Sequence, residues 1–89
     1  MPYIRPKDRP QLDELIEPLA KLGLTSGYQS GDMNYTLTRL IFKWWLDCPS
    51  YSRGAEIMGL LSCVAAEFYR RVLAPYENAK LAENGDVYD

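Results

Sequence analysis

One group of side chains combines an aromatic ring, a guanidinium group and neutral hydrogen-bonding groups at helical spacing. Tyr35 and Arg39 are four residues apart, so on a helix they lie one above the other. Asn34 and Thr38 form the adjoining row. Nucleotides are recognised by such groups, through stacking on the ring, a phosphate on the arginine, and base edges or phosphate oxygens on the amide and hydroxyl. The same residues also have a structural interpretation, with Arg39 packed on Tyr35 and paired to an acid, and cation–π pairs of this kind are common.

A second group lies later in the chain, where Glu67 is followed by Tyr69, Arg70 and Arg71. Glu67 can pair with either arginine along a helix. Consecutive helical residues point about 100° apart, so the two arginines cannot serve one pair and one of them is available to a ligand or a subunit. Tyr69 and Tyr76 add aromatic surface. The structural interpretation is that arginines near a helix C-terminus complement its dipole.

Catalytic chemistry has little support in this sequence. It contains no histidine, which is the commonest general base and a frequent metal ligand. Three acids have the spacing found in helical magnesium-dependent nucleotide pyrophosphohydrolases: Asp13, Glu14 and Glu17. Such enzymes need a second, facing pair, and Gly85 places Asp86 beyond the helix that carries Glu83. A solvated helix face explains the acids more simply, so we expect no enzyme, cofactor or metal.

The composition predicts one small helical domain over residues 1–89. A chain of this length buries little more than about 60% of its unfolded surface, so 47% apolar residues indicate a homo-oligomer. The net charge of −2 argues against DNA or RNA as partners. With no signal-peptide pattern and no apolar run of about 20 residues, we expect no membrane association and a cytoplasmic location. Cys48 and Cys63 lack metal-like spacing, and Cys63 is interpreted as a small core residue.

The pattern of apolar residues predicts an all-α fold, a small bundle of three main helices plus a short C-terminal helix, with extended terminal arms. Prolines at positions 2, 6 and 10 favour an extended arm over residues 1–10. Asp8 is the predicted cap of the first helix, Pro18 is expected to kink or divide it, and Gly23 to end it. Its apolar stripe comprises Leu12, Leu15, Ile16, Leu19 and Leu22.

Residues 24–30 are predicted to be a loop, with Ser30 or Asp32 capping a second helix that residues 48–51 break. Its main face is Met33, Leu37, Leu40, Ile41 and Trp44, with a second stripe at Tyr35, Arg39, Phe42 and Leu46. Adjacent tryptophans cannot share one face, so we expect Trp45 at an interface.

Ser52 is the predicted cap of the third helix, and Pro75 is expected to end or sharply kink it. Its predicted core face is Ile57, Leu61, Val64, Phe68 and Val72. A short fourth helix follows through Glu83, and Gly85 lies after its end.

The chain resembles a family of small uncharacterised proteins of tailed phages and some bacteria. The resemblance is carried by Met1-Pro2-Tyr3-Ile4, Gly31-Asp32, Asn34-Tyr35, Thr38-Arg39-Leu40, Glu67-Phe68-Tyr69-Arg70-Arg71, Ala74-Pro75-Tyr76-Glu77, Lys80 and Glu83-Asn84-Gly85-Asp86-Val87-Tyr88. By analogy it implies a phage sponge that sequesters the cyclic-dinucleotide signals of bacterial defence, the anti-CBASS class. Such sponges are small non-enzymatic oligomers, active in the cytoplasm of the infected host.

The resulting hypothesis is a non-catalytic homo-oligomer that sequesters a small anionic nucleotide such as cyclic GMP–AMP. The ligand-binding residues would be Asn34, Tyr35, Thr38, Arg39, Tyr69, Arg70, Arg71 and Tyr76. Two alternatives stay open. One is a phage accessory subunit that binds another protein and no small molecule, and the other is a magnesium-dependent nucleotide pyrophosphohydrolase.

Overall fold

The computed structural model describes residues 2–27 and 29–88, with the backbone alone described at 24–26. Residues 2–57 form one unit and residues 58–88 a second. The described helices are α1 (Pro10–Ser26), α2 (Ser30–Asp47), α3 (Tyr51–Phe68) and α4 (Ala74–Asn84), with a π-helical turn at Tyr69–Leu73. These residues contain no strand. The predicted all-α class, with three main helices and a short C-terminal one, is confirmed.

The segment before α1 is not a continuous extended arm, because Pro6–Asp8 form a 3₁₀ turn directly before that helix. The prediction that Asp8 caps α1 is wrong. Its carboxylate instead accepts a hydrogen bond from Arg5 Nε at 2.9 Å, and Arg9 occupies the cap position without a side-chain cap bond. The fixed φ of Pro6 suits the first position of a helical turn, which explains why a turn forms before the helix starts.

α1 continues past both of its predicted breakers. Pro18 lies inside the helix without dividing it, and Gly23 does not end it. The helix ends instead at Gly27, whose φ of 65° is left-handed and whose N–H donates to the Gly23 carbonyl. An isolated glycine is tolerated inside a helix, whereas the left-handed cap favours glycine strongly, which is why the later glycine is the stop. The predicted loop at 24–30 is therefore helical over 24–26, and Tyr28 lies outside the described residues.

The cap of α2 is Gln29, one residue before the predicted Ser30. Asp32 still contributes, because its Oδ2 accepts the Gln29 N–H at 3.0 Å from the third position of the helix. A carboxylate there satisfies an otherwise free donor and favours the positive end of the helix dipole.

α3 begins at Tyr51, so Ser50 rather than the predicted Ser52 is its cap. The Ser50 Oγ accepts the Arg53 N–H at 3.1 Å. Either serine hydroxyl could cap a helix, and the backbone turn after Pro49 places Ser50 at the cap position.

Arg53 connects the end of α2 to the start of α3. Its guanidinium lies 4.9 Å from the centroid of the Trp44 ring, and its Nη1 donates to the Trp44 carbonyl and lies 3.7 Å from Asp47 Oδ2. The Trp44 carbonyl is one of the last four of α2 and has no partner inside that helix. The Arg53 side chain is largely buried, with 16% of its surface exposed. Its Nε is buried and has no hydrogen bond among the described residues.

Trp45 lies at the same corner. It is half-buried, and a Cβ added to Gly54 would meet its ring at 3.5 Å. The absence of a side chain at Gly54 therefore leaves the indole close to the backbone of α3.

Pro75 lies in the first turn of α4, and the π turn at Tyr69–Leu73 joins α3 to α4. Phe68 and Ala74, on either side of the π turn, both have α-helical dihedral angles, and the Ala74 N–H donates to the Tyr69 carbonyl five residues back. Proline lacks an N–H and its ring crowds the carbonyl four residues before it. The wider turn next to Pro75 accommodates both constraints, and π turns of this kind are frequent at functional sites.

Among the described residues, Ile57 is the one buried hydrophobic side chain, at 9% exposure. The rest of the predicted core face of α3 is exposed, namely Leu61, Val64, Phe68 and Val72. Cys63 is exposed as well, so its interpretation as a core residue is wrong. The apolar stripes of α1 and α2 form with the predicted period, and most of their large side chains are exposed among the described residues.

Replacing Arg53 with alanine should lower the free energy of unfolding by about 1–3 kcal/mol, because a charge-assisted hydrogen bond and a cation–π contact are lost. Chemical denaturation at one fixed protein concentration, followed by circular dichroism, measures the change. Arg5→Ala is the matched control, since its exposed pair with Asp8 contributes little. Equal effects of the two substitutions would contradict the assigned role of Arg53.

Two glycine substitutions should change the stability of the protein in opposite directions. Gly54→Ala should stabilise by about 0.5–1 kcal/mol, because the new methyl group meets Trp45 at an ordinary contact distance and alanine favours a helix. Gly27→Ala should destabilise by about 1–2 kcal/mol, because an L-residue is strained at φ 65°. Thermal denaturation of both variants tests the pair, and a stabilising Gly27→Ala would contradict the left-handed cap.

Candidate ligand-binding site

The first half of α2 carries a shallow cavity of about 430 Å³, lined by Ser30, Gly31, Asn34, Tyr35 and Thr38. Three of the four residues that the sequence predicts for this cluster are therefore in the lining. The fourth, Arg39, follows Tyr35 by one helical turn. The Tyr35 ring is 68% exposed and so presents much of its surface for stacking.

The polar groups of this cavity are oriented by one another. Thr38 Oγ1 donates to Asn34 Oδ1 at 3.1 Å. Because the Asn34 oxygen accepts this bond, its amide NH₂ group is directed elsewhere and can donate to an acceptor on a ligand. The arrangement thus offers donors to phosphate or base oxygens.

Arg39 is exposed and makes no hydrogen bond, ion pair or ring contact within residues 2–27 and 29–88. The cation–π pairs of these residues lie elsewhere, at Arg53 on Trp44 and Lys80 on Tyr76. The structural interpretation of Arg39, as a side chain stacked on Tyr35 and neutralised by an acid, is therefore wrong for the described chain.

In the unit formed by residues 58–88, the two arginines of the second cluster differ in their contacts. Arg70 Nη2 donates to both carboxylate oxygens of Glu67, at 2.9 and 3.2 Å. Arg71 is exposed and has no ion pair in the described part of the chain. The sequence left open which arginine pairs with Glu67, and the structure assigns that pair to Arg70.

Tyr69 begins the π turn and lines a second cavity of about 430 Å³ between α4 and the segment that follows it. The other residues of that lining are Ala74, Glu77, Asn78, Lys80, Leu81, Asn84, Gly85, Asp86, Val87 and Tyr88. Glu77 raises the pKa of Tyr69 above its ordinary 10.0, first as a hydrogen-bond acceptor for the phenol proton and then through its negative charge. Glu77 is not among the predicted site residues, because the usual neighbour pairs on a helix are three and four residues apart and Tyr69 and Glu77 are eight apart.

Tyr76, the last predicted site residue, lies outside the cavity that Tyr69 lines. The Lys80 ammonium lies 5.7 Å from the centroid of the Tyr76 ring and 3.4 Å from a Glu83 oxygen. One face of the Tyr76 ring is therefore already in contact with a cation, which leaves the other face for a ligand.

The described residues contain no group of three or more cysteine or acidic side chains placed to hold a metal ion. Asp13, Glu14 and Glu17 are exposed on α1. Among the same residues, no helix combines the length and apolar character needed to cross a membrane.

Glu77→Gln should lower the pKa of Tyr69 towards its ordinary value, because the negative charge beside the phenol is removed. The folded protein holds the phenol proton at a pH where an unfolded tyrosine loses it. This contribution to stability is therefore complete below pH 10.0 and is lost as the pH rises through the higher folded pKa. Ultraviolet titration of tyrosinate, with Tyr69→Phe to identify the signal, measures the shift. Glu83→Gln is the control, and a titration of Glu77→Gln that overlays the parent curve would contradict the contact.

No curated protein and no solved structure matches the chain. A family model described as a domain of unknown function, DUF6899, matches residues 1–87. The match spans almost the entire length, including both clusters of aromatic and arginine side chains, and the chain therefore belongs to the DUF6899 family.

Proposed function

We propose that this protein is a non-catalytic, homo-oligomeric binder that sequesters a small anionic nucleotide, with a cyclic dinucleotide such as cyclic GMP–AMP as the leading candidate. The observation that supports it most is that two arginines, Arg39 and Arg71, have no ion pair with the described residues. Acidic residues outnumber basic ones by 12 to 10, yet neither guanidinium is paired with an acid within residues 2–27 and 29–88.

The chemistry around Arg39 suits a nucleotide. A base can stack on the exposed Tyr35 ring while a phosphate accepts from Arg39, because the Cβ atoms of residues one helical turn apart are about 5–6 Å from each other. Asn34 and Thr38 then read base edges or phosphate oxygens through the amide donors that their mutual hydrogen bond leaves available.

The second cluster offers a comparable set of groups. Arg71 takes the role of phosphate ligand, and Tyr69, half-exposed beside its cavity, takes that of the stacking ring. Arg70 is paired with Glu67, so in this proposal it positions the turn beside the ligand. Tyr76 contributes the ring face that Lys80 does not cover.

The resemblance to phage sponges of the anti-CBASS class suggests the biological role in this proposal, which is sequestration of a signal nucleotide. Sequestration requires tight binding and abundance, and it requires no catalytic group. In that role the protein would act in the cytoplasm of an infected bacterium, where it would remove a signal nucleotide from its receptor.

A second candidate function, an accessory subunit that binds another protein, is favoured by a different observation. Large apolar side chains are exposed in every described helix and in the segment after α4, where Val87 is 85% and Tyr88 94% exposed. Exposed apolar surface of this extent marks interaction sites. No comparable observation favours the magnesium-dependent hydrolase.

Binding of the proposed ligand can be tested by adding a panel of cyclic dinucleotides to the protein and recording its melting temperature, followed by calorimetric titration. We expect one member of the panel to raise the melting temperature, because a ligand that binds the folded state stabilises it by mass action. Arg39→Ala should abolish that shift and leave the helical circular dichroism unchanged, since Arg39 makes no hydrogen bond, ion pair or ring contact with the described residues.

Arg5→Ala is the matched control, because it removes the same charge from an exposed surface pair. A melting temperature that no nucleotide moves would exclude the proposal. Loss of helical structure in Arg39→Ala would instead make Arg39 a structural residue, and equal losses of binding in both variants would indicate non-specific attraction to positive charge.

A further inference from the structure

The second cavity, which lies wholly within residues 58–88, is acidic. The charged side chains of its lining are Glu77, Lys80 and Asp86, so carboxylates outnumber cations there among the described residues. Arg71 is not part of that lining. A phosphate placed in this cavity would meet an excess of negative charge, whereas groups that donate N–H bonds would find acceptors.

Lys80 does not neutralise the two carboxylates of the lining. Its ammonium lies 3.4 Å from an oxygen of Glu83 and 5.7 Å from the centroid of the Tyr76 ring, and both of these residues are outside the lining. Within residues 2–27 and 29–88, no ion pair joins Lys80 to Glu77 or Asp86. The negative charge of the cavity is therefore available to a ligand.

Asp86 keeps acceptor capacity for such a ligand. Its Oδ1 accepts the Tyr88 N–H at 2.8 Å, a bond that holds the carboxylate on the segment after α4. Its other oxygen makes no hydrogen bond, and the side chain makes no ion pair, with the described residues. Glu77, in contrast, already acts as an acceptor for the Tyr69 phenol proton. An ionised carboxylate accepts only, and its two oxygens together can take two parallel N–H groups.

The remaining lining of the cavity suits a flat ring. It includes two aromatic side chains, Tyr69 and Tyr88, and three apolar ones, Ala74, Leu81 and Val87. The volume of about 430 Å³ lies within the range of roughly 300–1,000 Å³ that is typical of small-molecule sites. A nucleobase can stack on an aromatic side chain while its edge makes hydrogen bonds, so an acidic cavity with aromatic walls has the groups to bind a base through its N–H donors.

Among the nucleobases, guanine has the edge that matches a carboxylate. Its N1–H and N2–H groups lie side by side and point the same way, so the two oxygens of one carboxylate can accept both. Adenine and cytosine place a single amino donor beside a ring nitrogen, whose lone pair a carboxylate repels. Uracil has one N–H between two carbonyl oxygens. The donor pattern of guanine therefore separates it from the other bases at this cavity.

We propose that the second cavity binds the guanine base of the ligand, with the Tyr69 ring against the base and the Asp86 carboxylate accepting from guanine N1–H and N2–H. This assignment rests on the proposed function and names the base that the second cluster recognises. Arg71 holds a phosphate outside the cavity. The ligand is accordingly a guanine-containing cyclic dinucleotide and not one that contains adenine alone.

Calorimetric titration of the full chain with cyclic di-GMP, cyclic GMP–AMP and cyclic di-AMP tests the assignment. We expect the two guanine-containing ligands to bind about tenfold or more tightly than cyclic di-AMP, which is the discrimination that one bidentate pair provides. Cyclic di-IMP, in which hydrogen replaces the N2 amino group of guanine, should bind about tenfold more weakly than cyclic di-GMP because one N–H donor is lost.

The panel separates failure of this inference from failure of the proposed function. Equal affinities for all four ligands, or tightest binding of cyclic di-AMP, would overturn the assignment of guanine and leave a nucleotide binder. Absence of binding by every ligand would exclude the proposed function and this inference with it.

Asp86→Asn tests the residue itself. The amide keeps an oxygen that can accept the Tyr88 N–H, so the segment after α4 should keep its conformation. Binding of cyclic di-GMP should fall about tenfold, because an amide offers one acceptor where the carboxylate offers two. Removal of a negative charge would by itself strengthen the binding of an anion, so the expected loss has the opposite sign to a simple charge effect.

Asp13→Asn is the matched control, since it removes the same charge from an exposed position in the other unit and should not weaken binding. Unchanged or tighter binding of cyclic di-GMP by Asp86→Asn would overturn the role of Asp86. A loss of equal size for cyclic di-GMP and cyclic di-AMP would overturn the recognition of guanine, because a contact specific to that base leaves cyclic di-AMP unaffected.

Discussion

The corner between α2 and α3 depends on Arg53. Its guanidinium stacks on the Trp44 ring, satisfies a terminal carbonyl of α2 and lies near Asp47, while its own N–H is held by Ser50. One residue thus connects the end of one helix to the start of the next, with a single buried polar atom, Nε, left without a partner. The neighbouring Gly54 lets the Trp45 ring approach the backbone, so that both tryptophans contribute to the corner.

The arginines discussed above fall into two groups according to whether they make hydrogen bonds or ion pairs with the described residues. Those at helix junctions and on surface pairs use their donors within the chain, as Arg53 and Arg70 do. Arg39 and Arg71 are one helical turn or less from exposed tyrosines and have no acid beside them in the described residues. A guanidinium is a permanent cation with directed donors, so in the proposed function an anion from outside the chain is its partner.

The helical class was predictable from the sequence because the apolar period of three and four residues persists through each segment, whereas helix boundaries were not. Gly23 and Gly27, or Ser50 and Ser52, have nearly the same local chemistry, so the choice within each pair depends on the backbone path around them. Pro75 shows a further limit. Its cost to a regular helix is local, but the chain avoids that cost by widening one turn, which no spacing rule anticipates.

For the candidate site, residue types and spacing alone determined that Asn34, Tyr35 and Thr38 share one helix surface, because four residues make about one helical turn. The tertiary structure decided which arginines are already paired, that Glu77 raises the pKa of Tyr69, and that the predicted core face of α3 is exposed beyond Ile57. The physical reason is the range of the interactions. Periodicity reflects the backbone of a single helix, whereas ion pairs, burial and cavities depend on which groups the rest of the fold brings near.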